Sequence, residues 1–168
     1  MSTILWGVAV LLFASFMLVV FRGAPYVPTR GRDLDDLFKL YRFKKSDLLI
    51  DLGSGDGRIL LAAASRGIRS LGYELNPLLV WLSQRRLARF SGLATVKLAD
   101  FWLAKLPDET AVVFVFLADP FMKKLDAKLQ HEATRLGHDI ILVSYGPKIP
   151  GKTPEKTQGG FLSYRYKA

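Results

Sequence analysis

Five short runs rich in β-forming residues recur along the chain at near-regular intervals: LLIDL at 48–52, RSLGYE at 69–74, ATVKL at 94–98, AVVFVFL at 111–117 and DIILVSY at 139–145. Stretches of helical character separate them. Strand and helix alternating at this spacing can close a core in few ways. Right-handed βαβ units stack into a parallel sheet with both faces covered, so a doubly wound α/β architecture is expected. With 168 residues the chain holds one domain of ordinary size with a proper core and is too short for two.

Helix boundaries are written in the punctuation. Asn76-Pro77 offers an N-cap and a first-turn proline for a helix that Gly92 would end, and Asp119-Pro120 repeats the pattern for a helix ending at Gly137. In the latter, Met122, Leu125, Leu129 and Leu136 form an apolar stripe, with Lys123, Lys124 and Lys128 facing away. Residues 33–41 read as a further short helix. Near the C-terminus Gly159-Gly160 between KTPEKTQ and FLSYRYK is a two-residue hairpin turn, so the sheet should finish with an antiparallel hairpin.

Charge is distributed unevenly. Lys and Arg number 24 against 15 Asp and Glu, a net charge of +9, yet the mean hydropathy is +0.19. Residues 1–21 contain no ionisable side chain, which resolves the conflict. A disordered basic tail would lack apolar residues, and a polytopic membrane protein would not have 23% charged residues. Thr3 to Phe21 as a helix would reach about 28 Å, close to the hydrocarbon thickness of a bilayer. Arg22, Arg30, Arg32, Lys39 and Arg42 follow it, which by the positive-inside rule puts the rest of the chain on the cytoplasmic side, or the matrix side in an organelle. The expected division is a transmembrane anchor at 1–22, a linker and cover helix at 23–46 and a single-pass protein's catalytic domain at 47–168. Cysteine is absent and the two histidines, His131 and His138, are isolated, so thiolate chemistry is excluded and no metal is expected. Arg85, Arg86 and Arg89 read as a basic helix surface, either solvated or lying against anionic headgroups.

The first strand runs into Asp51-Leu52-Gly53-Ser54-Gly55-Asp56-Gly57-Arg58. Glycines at such a strand-to-helix turn let a ligand approach the backbone closely. Their spacing is G-x-G-x-G, not the G-x-G-x-x-G of a dinucleotide site, and no Gly-Lys-Ser/Thr follows to make a phosphate loop. The next strand ends at Glu74, beside the first in a doubly wound sheet, where a carboxylate can accept from ribose hydroxyls. A third strand end supplies Asp100 for an adenine amine, with Phe101 and Leu75 to bracket the ring.

LLIDLGSGDGR, GYELN and LADF, in that order and spacing, resemble motifs I, II and III of the class I S-adenosylmethionine-dependent methyltransferases, which have a Rossmann-like fold. The apolar leader, PYVPT at 25–29 and GYELNP extend the resemblance to the membrane-anchored protein lysine methyltransferases of the ATP synthase c subunit and the adenine nucleotide translocase, and to their prokaryotic relatives. Leu78 and Phe121-Met122 depart from that pattern, where tryptophan and two methionines are expected. The resemblance implies S-adenosyl-L-methionine as methyl donor. Asp51 with Gly53, Ser54, Gly55 and Gly57 would hold its methionine end, Glu74 its ribose and Asp100 its adenine, with Leu75, Asn76 and Phe101 completing the cofactor site. Methyl transfer to a lysine ε-amine of a membrane protein is then expected, with the bilayer itself a partner. Asp119 and Tyr145 are the candidate catalytic residues, and Tyr26, Trp102 and Phe121 would line the lysine entry. Asp119 reads equally well as a helix N-cap. Two alternatives stay open: a nucleic-acid amino-methyltransferase, since Ala118-Asp119-Pro120-Phe121 is one proline short of the [DNS]-P-P-[YFW] signature, and a noncatalytic membrane adaptor that retains the fold.

Overall fold

The computed structural model describes residues 5–7, 10 and 34–168. Most of the expected transmembrane segment at 1–22, and residues 23–33 of the expected linker with Tyr26 among them, lie outside the described residues. Among the described residues no helix is long and apolar enough to cross a membrane.

A seven-stranded sheet organises the domain, in the order β3-β2-β1-β4-β5-β7-β6. Its strands are β1 (Leu48–Leu52), β2 (Arg69–Glu74), β3 (Ala94–Leu98), β4 (Thr110–Val115), β5 (Ile140–Tyr145), β6 (Lys156–Gln158) and β7 (Phe161–Tyr166). The first five are parallel; β7 pairs antiparallel with both β5 and β6. All five residues of β1 are buried, as befits a central strand covered on two sides. Gly159 and Gly160 turn the final hairpin with φ of 55° and 88°, a conformation that favours glycine at both positions.

Alternate residues feed two cores. Leu49, Val112, Phe114 and Val143 point to the face covered by α1 (Leu34–Leu40) and α2 (Arg58–Ala64). On this side α3 (Pro77–Leu87) also packs against β3, burying Val80 and Leu87 on Leu60 and Val96. Ile50, Leu52, Val113, Val115 and Leu142 point to the opposite face, where α4 (Asp119–Leu136) lays down Met122, Leu125 and Leu129, each fully buried. The expected stripe is therefore present, and helices cover both faces. Lys128 does not face away with Lys123 and Lys124, because its Nζ donates to the Ala104 carbonyl at 2.7 Å.

Two boundaries differ from the sequence expectation. Helix α3 stops at Leu87 and tightens into a 3₁₀ turn over Ala88–Phe90 with Ser91 as its C-cap, so the α-helix ends before Gly92, which does not take the left-handed conformation of a glycine stop. Helix α4 starts one residue earlier than its proline suggests. Ala118, extended at φ −70° and ψ 149°, is the N-cap, which makes Asp119 the first helical residue with no side-chain cap bond.

Candidate active site

Because β2 lies on one side of β1 and β4 on the other, the chain reverses its direction of winding at the C-terminal end of β1. A crevice opens at such a switch point. The glycine loop sits there. Gly53 and Ser54 both donate backbone N–H bonds to the Tyr73 carbonyl, at 2.9 and 3.0 Å, tying the loop to the end of β2. Gly53, Gly55 and Gly57 all have positive φ, of 83°, 54° and 76°, so each glycine of the G-x-G-x-G run is used for its backbone.

The loop and the β2 terminus share one carboxylate. Glu74, 6% exposed, accepts from Gly55 N–H on Oε2 at 2.9 Å and from Leu75 and Asn76 N–H on Oε1 at 2.8 and 2.7 Å. A carboxylate offers about four in-plane lone pairs, so three backbone donors leave one, on Oε2. A ribose diol would share the group with the backbone. Asn76 has its own task, since its Oδ1 accepts from Leu78 and Leu79 N–H as the N-cap of α3.

Asp51 lies below the loop, 2% exposed, and its Oδ2 has no hydrogen-bond partner; the Ser54 hydroxyl is likewise buried and unpartnered. Burial first, and then the charges of Glu74 and Asp56, push the Asp51 carboxyl well above the usual carboxylate range. A cationic ligand group would satisfy that oxygen.

The third strand end presents Asp100, whose Oδ1 accepts from Trp102 N–H at 2.9 Å. Phe101 is buried in the α4-side core and packs on Trp102 with ring centroids 4.7 Å apart, while Leu75 is half-buried. Asp51, the glycine loop, Glu74 and Asp100 thus all lie at the C-terminal edge of the sheet.

A pocket of about 360 Å³ adjoins the end of β4, lined by Phe116, Leu117, Ala118, Asp119, Pro120 and Pro147. Asp119 is exposed at its mouth and, being no cap, keeps its carboxylate oxygens off the helix backbone. Tyr145 is held edge-on to the pocket residue Phe116, at 5.7 Å between centroids, and against Phe161 at 4.7 Å. Phe121 follows at the first turn of α4, 6.4 Å from the Trp102 ring.

One part of the site was not visible as such in the sequence. Asp56, buried within the glycine loop, is bridged by Arg58 at 2.9 Å and by Arg86 of α3 at 2.6 Å, and Arg86 also donates to the Asp56 carbonyl at 2.9 Å. Burial raises the Asp56 carboxyl, but the bonds and charges of the two arginines outweigh it and hold the group below the ordinary carboxylate range. Arg86 is therefore a fastener of the loop and not part of a basic surface with Arg85 and Arg89. The signal available was an acidic residue among loop glycines; its partner stands thirty positions away and is found only through helix packing.

Residues 51–156 match the model of the ANTKMT methyltransferase domain. The chain belongs to this family. It is 35% identical over 137 residues to the human lysine N-methyltransferase of the ATP synthase c subunit, an alignment spanning 80% of this chain and 57% of that protein. It is 41% identical over 128 residues to the mouse adenine nucleotide translocase lysine N-methyltransferase, covering 74% of this chain and 55% of that one. The chain thus spans little more than half the length of these curated relatives. Among solved structures, an RNA methyltransferase from Salinibacter ruber in complex with S-adenosyl-L-homocysteine superposes with a TM-score of 0.72 and 28% identity, over 83% of this chain and 92% of that one.

Proposed function

We propose that this protein is an S-adenosylmethionine-dependent methyltransferase acting on a lysine ε-amine of a membrane protein. The observation that carries the cofactor is the buried, unpartnered Oδ2 of Asp51 beneath three glycines of positive φ, with Glu74 alongside. An ammonium-bearing methionine moiety fits that oxygen, and a nucleoside fits the edge formed by Glu74, Leu75, Asn76, Asp100 and Phe101. When bound, S-adenosylmethionine supplies an electrophilic methyl on a sulfonium.

The chain's remaining work is to deliver a neutral amine. A lysine with a pKa of about 10.4 is neutral only about 0.04% of the time at pH 7. Phe116, Leu117, Pro120 and Pro147 make the pocket walls apolar, which disfavours the ammonium form by desolvation. Asp119 at its mouth accepts a hydrogen bond from the ε-amine, orients its lone pair and takes up the departing proton. Tyr145, fixed between Phe116 and Phe161, holds the pocket wall in place and helps exclude water. Most of the rate then comes from alignment. Lysine as acceptor follows the activities named for the two curated relatives. The uncharged run at 1–21 followed by Arg22, Arg30 and Arg32 supports a single-pass anchor that leaves the domain on the cytoplasmic or matrix side.

The Salinibacter neighbour, an RNA methyltransferase, favours one second reading, methylation of RNA. Tritiated S-adenosylmethionine separates the two. Incubated with undermethylated membranes and with total RNA, the purified protein should label membrane protein. Label confined to RNA would support the second reading, and label confined to a soluble small molecule would sink both.

A further inference from the structure

Helix α3 has two apolar faces. Val80, Ser83 and Leu87 form the inner one, buried on β3 and α2. The outer one carries Leu78, Trp81 and Leu82, which are 58%, 52% and 39% exposed, although a helix on the outside of a sheet normally turns polar side chains to water. Arg85 and Arg89 continue this same face. At 3.6 residues per turn Leu78, Trp81, Leu82 and Arg85 fall within an arc of about 100°, and Arg89 follows in the 3₁₀ turn. The Arg85 guanidinium lies over the Trp81 ring, 4.3 Å from its centroid. Residues 77–98 contain Arg85, Arg86, Arg89 and Lys97 and no acidic residue, and Arg86 is already neutralised by Asp56. Leu98, at the end of the strand on which α3 packs, is 59% exposed.

An apolar stripe with an aromatic ring, bordered by cations that carry no acidic partner on their own helix, matches the interfacial zone of an anionic bilayer. Leu and Trp enter the acyl boundary while long arginine side chains keep their charges among the phosphates. Charge complementarity selects this occupant: a water-soluble basic surface has no use for three large exposed apolar side chains. We infer that the outer face of α3 docks the catalytic domain on an anionic phospholipid surface. Because α3 begins at Pro77, three residues after Glu74, docking brings the cofactor edge of the sheet to the headgroup layer. A substrate lysine would then be met at the membrane surface and not in bulk water. The inference rests on the geometry of α3 and needs no methyl transfer to be true.

The 168-residue chain has no cysteine, so single-site labelling is direct. Leu82→Cys and, on the exposed surface of α4, His131→Cys are each labelled with an environment-sensitive nitrobenzoxadiazole probe. The proteins are reconstituted in vesicles of phosphatidylcholine with or without phosphatidylglycerol. The probe at 82 should shift to the blue and be quenched by brominated lipid when phosphatidylglycerol is present, while the probe at 131 stays in water. Reversing Arg85 and Arg89 to Glu should weaken docking roughly fivefold or more for each arginine. Both are exposed, and an unchanged thermal midpoint shows that the variant is folded. A probe at 82 as wet as that at 131, shielding unaffected by the charge reversal, or shielding that requires a second membrane protein in the vesicle would each overturn the inference. Docking is read without cofactor, so its failure is distinguishable from failure of the enzymatic reading.

Discussion

Gly57 stands where the glycine loop becomes α2, at φ 76°, and a Cβ built there would lie 2.1 Å from the Ser83 hydroxyl oxygen and 3.0 Å from its Cβ. Gly57→Ala therefore has two separable costs. The left-handed backbone costs a non-glycine residue about 1–2 kcal/mol. Forcing a methyl into the occupied space on α3 costs about 1–3 kcal/mol more. Ser83→Ala alone should be neutral or stabilising by about 1 kcal/mol, since its buried hydroxyl has no partner to lose. In the double variant the 2.1 Å overlap disappears while the backbone strain and the contact at 3.0 Å remain. A favourable coupling of about 1–2 kcal/mol is expected, well outside the ~0.5 kcal/mol scatter of independent sites. Urea unfolding of the four proteins in the cycle measures it, and S-adenosylhomocysteine affinity should fall in Gly57→Ala and recover in part in the double variant. Additive stabilities would refute the idea that Ser83 backs the loop at Gly57.

Asp51→Asn should raise stability without ligand and weaken S-adenosylmethionine binding, because an Asp with a raised folded pKa costs stability as pH rises above about 4; thermal midpoints against pH, with and without cofactor, check both signs. Asp56 behaves oppositely. Its lowered pKa contributes stability at neutral pH that is lost as pH falls below about 4, and Arg86→Met should remove about 2–3 kcal/mol of stability by leaving a buried carboxylate with Arg58 alone, read by urea unfolding at pH 7. Asp119→Asn should lower the rate of methyl transfer by about 10²-fold or more while leaving cofactor affinity within error, measured by single-turnover labelling and calorimetry.

The strands were legible because their β-formers stand in compact runs between helix signals, and three of the five parallel strands have the residue bounds the sequence suggests. The hairpin was legible because two adjacent glycines permit little else. Asp119 shows where such reading fails. Asn76-Pro77 and Asp119-Pro120 look alike as dipeptides, yet Asn76 caps its helix through two hydrogen bonds and Asp119 is already inside its own, because Ala118 takes the extended conformation. Only the backbone on either side decides which frame the proline occupies. The separation of Arg86 from Arg85 and Arg89 failed for a different reason. All three are arginines on one short helical stretch, and what distinguishes them is the direction each takes from the axis relative to a loop thirty residues earlier. A place at a strand end marks Glu74 as a ribose acceptor, but that its oxygens also hold Gly55, Leu75 and Asn76 depends on distances that only the fold supplies.

The proposed lysine methylation depends on Glu74 and the glycine loop holding the methyl donor. Peptide mass spectrometry of undermethylated membranes, treated with S-adenosylmethionine and either the native protein or Glu74→Ala, tests it most directly. The native protein should add methyl groups to a defined lysine of a membrane protein, and Glu74→Ala should add none. Equal methylation by the two proteins, or no lysine modified by either, would contradict it.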